Sequence, residues 1–157
     1  MLGARQRLQL VALIVLIVIG DQWTKSLARE TLSDRPQHYA GGVLTLLLTE
    51  NEGAFLSLGA NLPASARIGL FAVAVSIAVI VALFVLLTSR VRGLDAVAVA
   101  MIAGGGIGNL IDRVVRHGRV TDFLLLSAGP LHTGIFNVAD MAISGGVVWL
   151  LVSSFLP

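Results

Sequence analysis

Cysteine is absent from the 157-residue chain, which excludes disulfides, thiolate metal sites and a cysteine nucleophile. Charge is scarce: Asp, Glu, Lys and Arg make up 13% of residues against 56% hydrophobic ones. With a mean hydropathy of +0.90, this balance is too apolar for an ordinary soluble domain. No basic block with interleaved aromatics occurs, so nucleic acid is not an expected partner. The pI near 9.9 rests on a net charge of only +2 and reads as arginine flanking membrane segments. His38, His117 and His132 are scattered without H-E-x-x-H spacing, which argues against a zinc peptidase. No serine stands in a G-x-S-x-G context, and the glycine-rich run 104–108 lacks the G-K-[ST] of a phosphate loop. No metal or cofactor is therefore expected.

What the chain does have is apolar stretches, at residues 8–20, 68–88, 94–111 and 141–156. A helix needs about 20 residues to cross a bilayer core, and only the second stretch reaches that without charge. The others reach it by taking in polar residues at one end. These are Asp21, Gln22 and Lys25 after the first, Asn109, Asp112 and Arg113 at the end of the third, and Asn137 and Asp140 before the fourth. If four helices alternate in direction, all of those ends lie on one side. The connections 29–67 and 114–136 begin and end on that side, and the other side holds the tails and the turn Ser89 to Gly93. The expected fold is a membrane α-helical protein of four transmembrane helices, spanning about 8–28, 67–88, 94–113 and 138–156, in a single domain. Arg5 and Arg7 before the first span favour a cytoplasmic N-terminus, although arginines on both sides leave a plain charge count undecided. No small-residue cleavage site follows Gly20, so the first stretch reads as a span and not a signal peptide. Gly41 to Thr49 reads as extended, and 120–126 with 131–136 as a hairpin, giving a small extramembrane β-sheet at about 38–60 and beyond. Gly104 and Gly108 stand in G-x-x-x-G register, placed to pack against Ser144, Gly145 and Gly146 of the fourth helix.

Ionisable groups at membrane depth are costly, so each is either paired or functional. Asp21 and Lys25, one helical turn apart, can pair, and Asn109, Asp112, Arg113 and Arg116 form a ridge on one helical face. A structural network reaching back to water accounts for these residues as well as a catalytic role does. Asp122 and Asp140 differ: Asp140 has no basic residue at helical spacing, and Asp122 sits in an apolar strand-like run beside Phe123, Leu124 and Leu125. Two carboxylates brought together cannot both ionise; one holds a proton while the other acts as base. Such a pair can deprotonate water and protonate a leaving amine. Asp140 has a plainer reading too, as charge at a helix N-terminus capped by Asn137.

Five pieces then occur in order: Asp21-Gln22-Trp23-Thr24-Lys25, Asn51-Glu52-Gly53-Ala54-Phe55, 105–113 (GGIGNLIDR), 118–123 (GRVTDF) and 136–140 (FNVAD). Together they resemble the lipoprotein signal peptidase (signal peptidase II) family over nearly the whole chain. The second piece departs from the N-x-G-A-A-F pattern, with Phe55 directly after Ala54. The resemblance implies a globomycin-sensitive aspartic peptidase of the bacterial inner membrane. It would cleave a prolipoprotein just before its diacylglyceryl-modified cysteine, as a monomer among membrane lipids, with cytoplasmic termini and a site near the periplasmic face. It gives Asp122 and Asp140 the catalytic roles, and places Asp21, Lys25, Asn51, Gly53, Asn109, Arg113 and Asn137 around substrate and dyad. The segment 41–58 becomes a surface cradle or lid. Two other classes compete: a small proton- or ion-coupled transporter, whose pathways also use intramembrane Asp, Asn and Arg, and a non-catalytic scaffold subunit.

Overall fold

The computed structural model describes residues 2–32, 35–52, 63–88, 91 and 93–156. Gly53, the part of the expected cradle from 53 to 58, the part of the expected β segment from 53 to 60, and Ser89, Arg90 and Arg92 lie outside the described residues. Among the described residues four helices carry the fold: α1 (Ala4–Thr31), α2 (Ala64–Thr88), α3 (Gly93–Val115) and α4 (Val138–Ser153). The stretches Ala4–Thr31, Gly69–Thr88 and Gly93–Val115 are long and apolar enough to cross a membrane, and α4 is a shorter apolar helix of 16 residues. At 1.5 Å per residue, α1 is about 42 Å long, so its helix continues well past the apolar stretch through Asp21 and Lys25.

Helix α3 is the centre of the bundle, packed against α1, α2 and α4. Its buried residues are nearly all small, from Ala96 to Gly108. Successive helical residues are turned by about 100°, so three consecutive glycines face three directions. A Cβ on Gly104 would meet Ile17 of α1 at 3.1 Å, one on Gly105 would run into the Ala139 carbonyl of α4, and one on Gly106 would meet Val79 of α2 at 2.6 Å. This corrects the expected register. Gly104 and Gly108 form one stripe, but that stripe lies against α1, where Gly108 meets Asp21. The close approach of α3 to α4 is made by Gly105 and by Gly146, whose Cβ would lie 2.6 Å from the Ala98 carbonyl. At the far end of the bundle Trp149 Nε1 donates to Asp95 Oδ1 at 2.9 Å, which satisfies the indole within an apolar setting. The outward faces, such as Leu16, Ile80, Phe84 and Val148, are exposed and apolar, as contact with lipid requires.

Four strands form one antiparallel sheet in the order β1 (Gln37–Tyr39), β2 (Leu44–Asn51), β3 (Val120–Ala128) and β4 (Leu131–His132). The chain turns from β1 to β2 through Ala40–Gly42, where φ is 66° at Gly41 and 92° at Gly42, values that favour glycine. Pairing of β2 with β3 slips between Leu46, opposite Leu124, and Thr49, opposite Asp122. Two residues of β2 thus oppose Phe123 alone, as in a β-bulge. The expected hairpin forms, with β3 longer and β4 shorter than anticipated. Thr133 keeps one backbone bond, its N–H to the Leu126 carbonyl, but its hydroxyl takes the place of its carbonyl in accepting the Leu126 N–H, and Phe136 returns only as a bridge to Leu124.

Candidate active site

The polar ends of α1, α3 and α4 and the start of β3 meet at one end of the bundle. Lys25 has a fully buried side chain, and its ammonium does not reach out to water. Its Nζ lies 2.8 Å from Asp21 Oδ2, 3.3 Å from Asp112 Oδ2 and 2.9 Å from Asn109 Oδ1, three acceptors for three protons. Gln22 Nε2 braces the same carboxylates and the Gly108 carbonyl. Asp21 Oδ1 accepts the backbone N–H of Ala139 at 2.9 Å, tying α1 to the first turn of α4, and Asp112 Oδ2 accepts that of Thr121. Asp21, Lys25 and Asp112 are thus buried inside the protein and tie its elements together.

Above this network lie two asparagines with fixed amides. Asn109 Oδ1 is taken by Lys25 and by Asn137 Nδ2 at 3.2 Å, which leaves Asn109 Nδ2 to donate to Asp140 Oδ1 at 2.8 Å. Asn137 caps α4: its Oδ1 accepts the Asp140 N–H at 3.0 Å, and its own N–H donates to Asp140 Oδ2 at 3.2 Å. The plainer reading of Asp140 as a helix-start carboxylate therefore holds together with its place in the cluster. Asn137 Nδ2 also donates to Asp122 Oδ1 at 2.6 Å. From β2, Asn51 Nδ2 donates to Asp122 Oδ2 at 2.9 Å, a contact set by the bulged register. Both carboxylates are therefore held by neutral amides, with a common partner in Asn137.

Asp122 is 2% exposed, whereas Asp140 is half-buried. Burial pushes the Asp122 carboxyl up; the Asn51 and Asn137 hydrogen bonds and the Lys25 charge pull it down, and the Asp140 charge raises it, with the balance at about 6. Arg113 Nη1 donates to the Asn109 carbonyl at 3.1 Å. Its charge acts on Asp140, Asp122 and Asp112. Its Nε is buried without a hydrogen-bond partner among the described residues.

The sequence-derived residues Asp21, Lys25, Asn51, Asn109, Arg113, Asn137, Asp122 and Asp140 thus converge. Gln22, Asp112, Arg29 and Thr121 also belong to the network and were not singled out as site residues. Asp21, Lys25 and Arg29 follow one another at helical spacing, a stripe that could have marked Arg29. Thr121 carries no comparable signal.

The same fold occurs in a bacterial membrane enzyme solved by the in meso method at 1.9 Å, with a TM-score of 0.81 and 25% identity, covering 94% of this chain and 93% of that one. The fold defines a multi-pass membrane enzyme, and the family match makes it an aspartic peptidase. The chain belongs to the signal peptidase (SPase) II family, whose model matches residues 13–156. The lipoprotein signal peptidase of Francisella tularensis subsp. novicida (strain U112) is 34% identical over 151 residues, covering 96% of this chain and 93% of that relative. That of Caldicellulosiruptor bescii is 35% identical over 138 residues, covering 88% and 85%. Membership in a peptidase family sets aside the transporter and scaffold readings.

Proposed function

We propose that the protein removes the signal peptide from diacylglyceryl-modified prolipoproteins, cutting just before the lipidated cysteine, with Asp122 and Asp140 as its catalytic pair. The observation that carries this reading is the joint hold of Asn137 and Asn109 on the two carboxylates at one end of an apolar bundle. The pair shares one proton. The ionised carboxylate takes a proton from water as the water attacks the scissile carbonyl, and the protonated carboxyl gives its proton to the carbonyl oxygen. Collapse of the resulting diol breaks the C–N bond and returns a proton to the leaving amine, which becomes the N-terminus of the lipidated cysteine. Arg113 and Asn51 line the approach and orient the substrate backbone. A substrate held in the bilayer by its acyl chains arrives already confined to the depth of the site, which supplies proximity.

In this reading residues 1–157 form one inner-membrane domain with cytoplasmic termini, its four spans at about 8–28, 67–88, 94–113 and 138–156, and the site and sheet at the periplasmic face. The protein works as a monomer and is blocked by globomycin-type cyclic peptides. The test is cleavage of a diacylglyceryl-modified prolipoprotein in detergent by wild type, Asp122→Asn and Asp140→Asn protein, each verified as folded. Wild type is expected to cleave and both variants to be inert. Near-normal turnover by either variant would remove that carboxylate from the mechanism.

A further inference from the structure

Thr121, the residue before Asp122, is fully buried, and each of its polar groups is engaged by a different part of the molecule. Its N–H donates to Asp112 Oδ2 of α3 at 2.9 Å, and its carbonyl accepts from Asn137 Nδ2 at 3.4 Å. Its hydroxyl accepts from Arg29 Nη1 of α1 at 3.1 Å and donates to Glu50 Oε1 of β2 at 3.3 Å. A hydroxyl has one proton to give, and here the carboxylate receives it while a lone pair takes the guanidinium. Glu50 continues to Arg116, 3.6 Å away, so a polar chain runs from α1 through β3 and β2 to the residue after α3. In the ladder Glu50 stands directly opposite Thr121, and the next residue along β2 is Asn51, the donor to Asp122. The hydroxyl contact is therefore one rung from the hydrogen bond that holds the catalytic carboxylate.

We infer that Thr121 is a positioning residue, whose hydroxyl pins the end of β2 against β3 and α1 so that the Asn51 amide meets Asp122. The inference rests on the reading of Asp122 as half of the catalytic pair. Successive strand residues point to opposite faces, so Thr121 acts through Asn51 and does not touch the reacting atoms. The charged groups that face Asp122 are Asp140 from α4, Arg113 from α3 and Lys25 from α1, and none of them bonds the Thr121 side chain. Loss of the hydroxyl leaves those charges in place and loosens the Asn51 contact. That contact favours the ionised carboxylate, so its weakening raises the proton affinity of Asp122.

The test compares Thr121→Val, close in shape but without the hydroxyl, with Thr121→Ser, which keeps it. Thr121→Val is expected to lower kcat by about five- to tenfold with little change in KM, the scale of one lost hydrogen bond. It is also expected to move the alkaline limb of the pH profile upward, and Thr121→Ser to restore both. NMR titration of a labelled Asp122 carboxyl carbon in detergent reads the same shift without turnover, upward in Thr121→Val and back in Thr121→Ser. Wild-type kcat and titration in Thr121→Val overturn the inference. Equal impairment of both variants with an unmoved titration also overturns it, leaving only a packing role. If wild type fails to cleave prolipoprotein while Thr121→Val still raises the titration, the proposed function falls and the positioning role stands.

Discussion

Asp122 links charge to stability and, in the proposed mechanism, to activity. Its folded value of about 6 lies above that of an unfolded aspartate, near 4. Between those values the folded protein binds the proton more tightly, so this group's stabilising share is full below about pH 4 and is lost as the pH climbs through 6. Thermal unfolding in detergent should therefore show a fall in Tm across that window that Asp122→Asn lacks; an equal slope in the variant would assign it to other groups. In the proposed mechanism the alkaline limb of kcat/KM is expected near pH 6, where the pair loses its one shared proton. Lys25 makes a different prediction. Its removal in Lys25→Met leaves Asp21 and Asp112 buried without their cation, expected to cost about 3 to 5 kcal/mol in chemical unfolding. A loss under 1 kcal/mol would show that water or a proton replaces it. Asp122 and Asp140 stood out in the sequence by their settings, one in an apolar strand-like run and one at a helix start, and the resemblance paired them. The resemblance also named Asn51, Asn109 and Asn137, but which carboxylate each amide holds was not legible, since Asn51 reaches Asp122 and Asn109 reaches Asp140 from segments far apart in sequence.

Helix α3 was legible as an apolar stretch with a polar end, and its glycines as a packing surface. Which helix each glycine would meet was not, because that depends on how the bundle closes, and the expected α4 stripe turned out to serve α1. The distinction has a measurable outcome. Gly105→Ala places a methyl against the Ala139 carbonyl and Ile143, so α4 must move, carrying Asn137 and Asp140 away from Asn109. A loss of about 1 to 3 kcal/mol in stability is expected, together with a fall in cleavage. Gly20→Ala, which meets nothing within 4 Å, is the matched control and should leave both unchanged. If the two variants behave alike, the α3–α4 contact is not what sets the site. The bulge between Leu46 and Thr49 was equally invisible beforehand: the alternation of β2 is too uniformly leucine to reveal where its register slips.

The gathering of polar ends on one side followed from alternating helix direction alone, and it is the part of the architecture that sequence displays most directly. Its orientation can be read chemically, since the chain has no cysteine of its own. Leu131→Cys, at the exposed β4, is expected to react with an impermeant maleimide added to intact spheroplasts, and Ser154→Cys, at the end of α4, only after lysis. The reverse pattern would put the site on the cytoplasmic side. The central place of α3 bears finally on how the molecule is made. Among the described residues α1 packs on α3 and α4, and α2 packs on α3. Helices α1 and α2, made before α3, therefore find most of their packing surface only on the third. Asp21 and Lys25 can shelter each other within α1 meanwhile, but the bundle and its site come together only when the glycine face of the third helix enters the bilayer.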